Sequence, residues 1–436
     1  MRPKSILLTI LMFTATLTLM AQNGKTQALI GVEIFNGKSG DLKGMTILIE
    51  DGIIKDIFKT GSKIISDSIN KIDLTGYYVI PGLIDTHVHL GMKGISKSTD
   101  ASRKEFKKWI YSGVTTVRDM GGDARVLALE NQLIKDDKQP GPDIYFSATV
   151  GSSDMIAKDL RLKRVTQGLG IDKAGYVIEA KNNMDINANV SKAVQSKVTG
   201  LKFYAGINSD LIKALTMEAH NQGLKSWAHF TVFPDRPIEV VKAGVDVVSH
   251  VWGAFWQDTD VDPSERVPFT HTDFKNARSA VFPEDMSALN TDSPELQLLF
   301  NEMQKRDVIW DLTYVVPNPE VQKIYKKYAL AASQAGVEFS TGTDYFNDIT
   351  ESYPSLFKEI ESLVIDGILD SRQVLLSATL NGAKAIGIEK THGTIEEGKI
   401  ANLVVLKKNP IENITNIREI ELTMKNGIIY NRINYN

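Results

Sequence analysis

The chain has 436 residues, 42% hydrophobic and 24% charged, enough to bury two or three ordinary domains or one large α/β barrel with a small companion. Its 50 basic and 53 acidic residues leave a net charge of −3 with no long basic run, which argues against nucleic acid as a partner. The absence of cysteine excludes disulfides and a lipid-anchored cysteine, and it restricts any metal site to nitrogen and oxygen donors.

The amino terminus, "MRPKSILLTILMFTATLTLMAQNGK", places Arg2 and Lys4 before an apolar run from Ile6 to Leu19, with Leu19-Met20-Ala21 ahead of Gln22. The run is short for a membrane span and carries four threonines, Thr9, Thr14, Thr16 and Thr18. Residues 1–21 therefore read as a signal peptide cleaved after Ala21. The mature protein is expected to be exported, periplasmic or secreted, and outside the membrane.

Residues 22–78 read as short strands in "ALIGVEIFNGKSG" and "GMTILIEDGIIKDIFKTG", with Asn36-Gly37 and Asp51-Gly52 as tight-turn signals. Residues 389–436 have the same texture in "GTIEEGKIANLVVLKKNP" and "IELTMKNGIIYN", with Asn426-Gly427 as a hairpin turn. Neither end can readily bury a sheet face alone, so the two are expected to build one small β-sandwich domain.

Residues 79–388 alternate. Short apolar strands are expected at "YYVIPGLIDTHVHL", "GVTTVRD", "DIYFSATV", "GLKFYAG", "GLKSWAHF", "GVDVVSHVWG", "DVIWDLTYVV" and "GVEFSTGTD", separated mostly by helix-like stretches. Eight such units predict an α/β fold, a closed (β/α)8 TIM barrel. An open doubly wound sheet is the alternative, but no G-x-G-x-x-G follows any strand. More than fifty residues separate "SHVWG" from "DVIWDL". This insertion, roughly residues 255–300, contains Trp256, Phe269 and Phe274 and is expected to shape a substrate pocket.

Side chains alternate across a strand, so Asp85, His87 and His89 share one face of "VIPGLIDTHVHL". That polar face should look into the barrel at the strand's C-terminal end, where barrel active sites sit. His229 closes "KSWAHF", His250 closes "DVVSH" and Asp344 closes "FSTGTD", so four of the seven histidines end predicted strands at the same mouth. Neutral imidazoles converging there can bind a cation. His220, His271 and His392 lie elsewhere and are read as structural.

With these motifs in place the chain resembles the amidohydrolase superfamily of metal-dependent hydrolases. The resemblance rests on "PGLIDTHVHL", His229, His250, "TGTD" and the closing "GTIEEGKIANLVVL", and "GVTTVRDMGG" is similar to the imidazolonepropionase-like and prolidase-like branch. In binuclear members a fourth-strand lysine, carboxylated by CO2, bridges two metals; here "GLKFYAG" offers Lys202. The resemblance then implies two divalent ions, zinc first among the candidates. One would be held by His87, His89, Lys202 and Asp344, the other by Lys202, His229 and His250. The alternatives are a lysine reaching for the barrel rim and a mononuclear site. Deaminases carry a glutamate three residues after the fifth-strand histidine, and this chain has Val232.

The implied chemistry is hydrolysis of a carbon–nitrogen bond in a small substrate by a metal-bound hydroxide, with an Xaa-Pro-type dipeptide as the leading class. Asp344 would carry the proton from water to the leaving nitrogen. Tyr204 is a candidate for polarising the carbonyl, and Arg118 for binding a substrate carboxylate or, alternatively, for an ion pair with a loop carboxylate. A hydrolase of cyclic amides, lactones or phosphotriesters, or a non-catalytic binding protein on this fold, are the rival readings. The sequence leaves the oligomeric state open, a homo-oligomer included.

Overall fold

A computed structural model describes residues 26–37, 40–92, 99–258, 290–315, 319–344 and 351–435. The leader and most of the insertion therefore lie outside the described residues. In chain order the strands are β1 (Gln27–Phe35), β2 (Asp41–Glu50), β3 (Ile53–Lys59), β4 (Asn70–Asp73), β5 (Tyr78–Pro81), β6 (Leu83–Val88), β7 (Val114–Asp119) and β8 (Asp143–Ser152). There follow β9 (Val177–Ala180), β10 (Gly200–Phe203), β11 (Lys225–His229), β12 (Val247–Ser249), β13 (Ile309–Asp311), β14 (Phe339–Ser340), β15 (Leu403–Leu406), β16 (Ile420–Lys425) and β17 (Ile428–Asn431).

Both chain ends share one mostly antiparallel sheet, ordered β17-β16-β15-β5-β1-β2-β3 with β4 beside β1. The sandwich is this single sheet folded on itself. Ile53 bridges to Ile400, and the arms close over one apolar core that includes Ile47, Ile49, Leu403 and Met424. Tyr78–Pro81 pairs with β15 and β1, so the chain leaves this sheet at Gly82, and the first barrel strand starts later than "YYVI" suggested. "YYVI" is apolar because it lies between β1 and β15.

The barrel strands run in parallel order β6-β7-β8-β10-β11-β12-β13-β14, and all eight expected strands are present. Their residues are almost wholly buried, as expected of strands covered on both faces. Backbone hydrogen bonds link β6 to the segment just after β14. Thr86 N donates to Thr341 O at 2.9 Å and Asp344 N to His87 O at 2.8 Å. β9 was not anticipated. It continues the sheet beside the second half of β8, whose first half pairs with β7. Helices follow most strands, several opened by a side-chain cap such as Asn208 accepting from Leu211 N before Ser209–Asn221. Among the described residues, no helix is long and apolar enough to cross a membrane.

Candidate metal centre

The site is built upward from the barrel interior. On β10, Gly200, Lys202 and then Tyr204 just beyond the strand alternate onto the inner face. A side chain at Gly200 would strike the Trp227 indole at 2.6 Å, so the glycine makes room for this large, fully buried ring. Trp227 anchors the floor by donating to Ala385 O at 2.8 Å. The Arg118 guanidinium lies over that ring, 4.7 Å from its centroid.

Above the indole lies a polar layer. Asp311, fully buried at the end of β13, accepts from Arg118 Nη2 at 3.1 Å and from Ser249 Oγ at 3.2 Å. Its Oδ2 also lies 2.6 Å from His87 Nδ1. Lys202 Nζ donates to Ser249 Oγ at 2.8 Å. Burial pushes the Lys202 ammonium down to about 7, despite the opposing pull of Asp311.

The histidines crown this layer. His87 and His89 ring centroids are 5.3 Å apart, His87 and His250 4.9 Å, and His229 and His250 4.7 Å. Asp344, half-exposed, faces them: its Oδ1 is 2.9 Å from His89 Nε2 and 3.6 Å from His87 Nε2. His87, His89 and Asp344 each offer one donor atom, all within 4.8 Å of one another. Burial lowers the pKa of His87, His229 and His250, the last to about 3, so all three are neutral near pH 7. Neutral imidazoles beside a carboxylate are the donor set that a divalent cation requires, so the residues present fit a metal.

Three of the four rings, those of His87, His229 and His250, are held through the other nitrogen. With Asp311 accepting from Nδ1–H, His87 turns the Nε2 lone pair toward Asp344. His250 Nδ1 meets Thr313 Oγ1 at 2.9 Å, and His229 Nδ1 meets Tyr204 O at 3.2 Å. Thr313 is fixed in turn, because the next two backbone amides, Tyr314 N and Val315 N, donate to Glu359 at 2.8 and 2.9 Å. Asp85 ties the first strand to the eighth, accepting from Thr343 Oγ1 at 2.9 Å and from His87 N at 3.1 Å. His250, Thr313 and Asp344 adopt positive φ of 77°, 45° and 46°, a local strain that the surrounding bonds must support. Gly342 allows the close approach, because a Cβ there would collide with Asp311 and His87.

The structure brings His87, His89, Lys202, His229, His250 and Asp344 to one mouth. It assigns the other two candidates differently. Arg118 is fully buried beneath the histidines, donating to Thr86 O, Ala385 O and Asp311, so a substrate carboxylate cannot reach it. The expected ion pair exists, but its partner is a strand residue. The Tyr204 hydroxyl donates to Met120 O, which commits the proton it would need for polarising a carbonyl, and its ring packs edge-on against His229 at 4.7 Å. Away from the site, His220 pairs with Asp246 and His392 is buried beside Thr391. His271, Phe269 and Phe274 lie outside the described residues, while Trp256 is buried. Asp311, Thr313 and Glu359 were missed. Asp311 carries a legible signal, an acidic residue on the inner face at a strand's end; Glu359, on an amphipathic helix, carries none.

A family model described as "Amidohydrolase family" matches residues 78–232 and 308–429. A dihydroorotase from Methanosphaera stadtmanae is 39% identical over 85 residues, a match spanning 20% of this chain and 20% of that protein. A 5'-deoxyadenosine deaminase from Methanosarcina acetivorans is 24% identical over 84% of this chain and 81% of its own. A solved Xaa-Pro dipeptidase with bound methionine superposes with a TM-score of 0.64, at 21% identity, over 93% of this chain and 100% of that one. At that identity the structural likeness establishes the fold.

Proposed function

The chain belongs to the amidohydrolase family, and from that membership we propose that its barrel mouth hydrolyses the carbon–nitrogen bond of a small amide, with a dipeptide of the Xaa-Pro type as the leading class. The observation that carries this reading is the convergence of His87, His89, His229, His250 and Asp344 around the buried Lys202. His87, His89 and Asp344 would hold one divalent ion, and His229 and His250 a second, with Lys202 between them. When bound, such ions polarise a carbonyl and lower the pKa of water.

The chain's own groups do the rest. Asp344, half-exposed at the mouth, is placed to take a proton from water and hand it to the leaving nitrogen. Asp311 keeps His87 in the tautomer that leaves Nε2 free to ligate. Lys202, with its ammonium shifted to about 7, keeps a share of neutral amine near physiological pH. That amine can add to CO2 and release one proton, leaving a carbamate that would supply negative charge and oxygen donors toward the ions. Val232 is fully buried where a deaminase would carry its glutamate, which speaks against deamination despite the deaminase relative. The leader supports export, and N-terminal sequencing of exported protein that still begins at Met1 would refute cleavage after Ala21.

The test is metal analysis together with a library of dipeptides and small amides, using protein reconstituted with zinc, manganese or iron. Hydrolysis of library members that is lost on chelation and in His89→Ala is expected. A metal-loaded protein that turns over no amide, but does turn over lactones or phosphotriesters, would overturn the substrate assignment.

A further inference from the structure

The barrel mouth carries a second feature, outside the ligand set, that bears on which amides enter. The helix Leu160–Val165 follows β8 and packs against the turn Leu90–Met92 beyond His89. Its second residue, Arg161, places its guanidinium carbon 5.8 Å from the centroid of the Tyr204 ring. That ring in turn lies 4.7 Å from the ring of His229. Arg161 is therefore one ring-width behind a proposed ligand, and its charge is felt at both Asp344 and His229.

The guanidinium is held by one edge only. Asp159 accepts from Nε at 2.9 Å and from Nη2 at 2.5 Å. The same carboxylate caps the helix by accepting from Arg161 N at 2.8 Å. Among the described residues none accepts from Nη1, and the side chain keeps 33% of its surface accessible. A planar fork fixed on one side and open on the other is preorganised to receive a carboxylate. Because Asp159 already balances one charge, the pair suits a monoanion better than a dianion such as phosphate.

We propose that Arg161 is a specificity residue that binds the free carboxylate of an N-acyl amino acid or dipeptide whose amide lies at the metal ligands. The assignment rests on the amide-hydrolase reading and narrows it. In such a substrate the carboxylate is one carbon from the scissile nitrogen, and the assignment requires it to reach Arg161 past the edge of the Tyr204 ring while the amide stays at the histidines. A neutral amide, lactone or phosphotriester has nothing to place there.

The test offers a panel of N-acetyl-L-amino acids and their carboxamides to the metal-loaded wild type, Arg161→Met and Asp159→Asn. Compounds that are turned over are compared by kcat/KM, the others by calorimetric Kd. The wild type should prefer the best acid over its carboxamide by at least about tenfold, as one charge-assisted hydrogen bond allows. Arg161→Met should erase that preference with metal content unchanged. Asp159→Asn keeps a good cap residue and frees the guanidinium, so it should bind the acid as tightly or more tightly. A purely structural ion pair would make both variants lose together. That result, a wild type without preference anywhere in the panel, or a preference that survives in Arg161→Met, overturns the proposal. Acid binding that needs Arg161 while nothing is hydrolysed leaves the carboxylate site standing and refutes the amide-hydrolase reading instead.

Discussion

Asp311→Asn tests whether the layer beneath the histidines positions them. Asp311 is fully buried and joins three donors, Arg118 Nη2, Ser249 Oγ and His87 Nδ1. Asparagine keeps the shape but removes the charge, leaving the Arg118 guanidinium, already pushed down to about 10 by burial, without its counter-ion. Breaking a buried pair in this way costs about 3–5 kcal/mol. The amide can also turn its N–H toward His87 Nδ1, which drives the proton to Nε2 and removes the lone pair that faces Asp344. Loss of such a support typically weakens metal binding by about 10- to 100-fold. Urea denaturation of the metal-free protein reads the first effect. Equilibrium dialysis against zinc, at urea concentrations where circular dichroism shows the variant folded, reads the second. Adding Arg118→Met should recover part of the stability, since the uncompensated charge is then gone. A single variant within about 1 kcal/mol of wild type and with wild-type metal affinity would refute the reasoning.

Gly342→Ala should drive a methyl group into Asp311 and His87, cost about 1–3 kcal/mol and lower bound metal, both read by denaturation and metal analysis. The metal-free protein should lose stability as pH falls below about 6.5. Burial holds His250 down to about 3, so between these values the unfolded chain binds the extra proton and stability rises with pH through that window. Flat stability from pH 7 to 4 would show that His250 protonates without cost. Lys202→Ala should lose at least one metal and most activity, and acetate or propionate should restore part of both. Two metals and full turnover in that variant would refute the Lys202 bridge, whereas a wild type that binds one metal and a variant with full turnover would leave a mononuclear hydrolase as the remaining reading.

The eight strands were legible because each is a short apolar run bounded by turn residues, and the mouth was legible because polar residues interrupt those runs at their far ends. His87, His89, His229, His250 and Asp344 all carry that signature. Arg118 carries it too and misled for this reason. It stands one residue before the end of β7, but its long side chain turns inward along Trp227 instead of outward to the mouth. Periodicity gives the face of a strand and not the depth that a flexible side chain reaches. Tyr204 shows the same limit, since only the fold brings Met120 O within reach of its hydroxyl. Arg161 was silent in sequence because it lies on a six-residue helix in a loop, where no spacing rule applies. Glu359 acts through backbone amides 45 and 44 residues away, a relation without any sequence pattern.

The charges of the buried layer also bear on how many ions the mouth can hold. Arg118 and Asp311 cancel within the layer, and the three depressed histidines contribute no charge near neutrality. Among the ligand residues this leaves Asp344 as the one carboxylate facing the cluster. One divalent ion against one carboxylate is tolerable in a half-buried site; two such ions would repel strongly in a medium of low dielectric constant. A second anion is needed, and the other acidic side chains near the histidines are already committed, Asp311 to Arg118 and His87 Nδ1 and Asp119 to the backbone amides of Gly91 and Gly121. The fold supplies Lys202 instead, fully buried, its ammonium shifted to about 7 and its Nζ held by Ser249 in the layer beneath the histidines. The same burial that makes a charged ammonium costly makes the neutral amine available for reaction with CO2. The two metals and the carbamate are thus a single hypothesis: each removes the electrostatic objection to the other, and Lys202 is the residue at which both stand or fall.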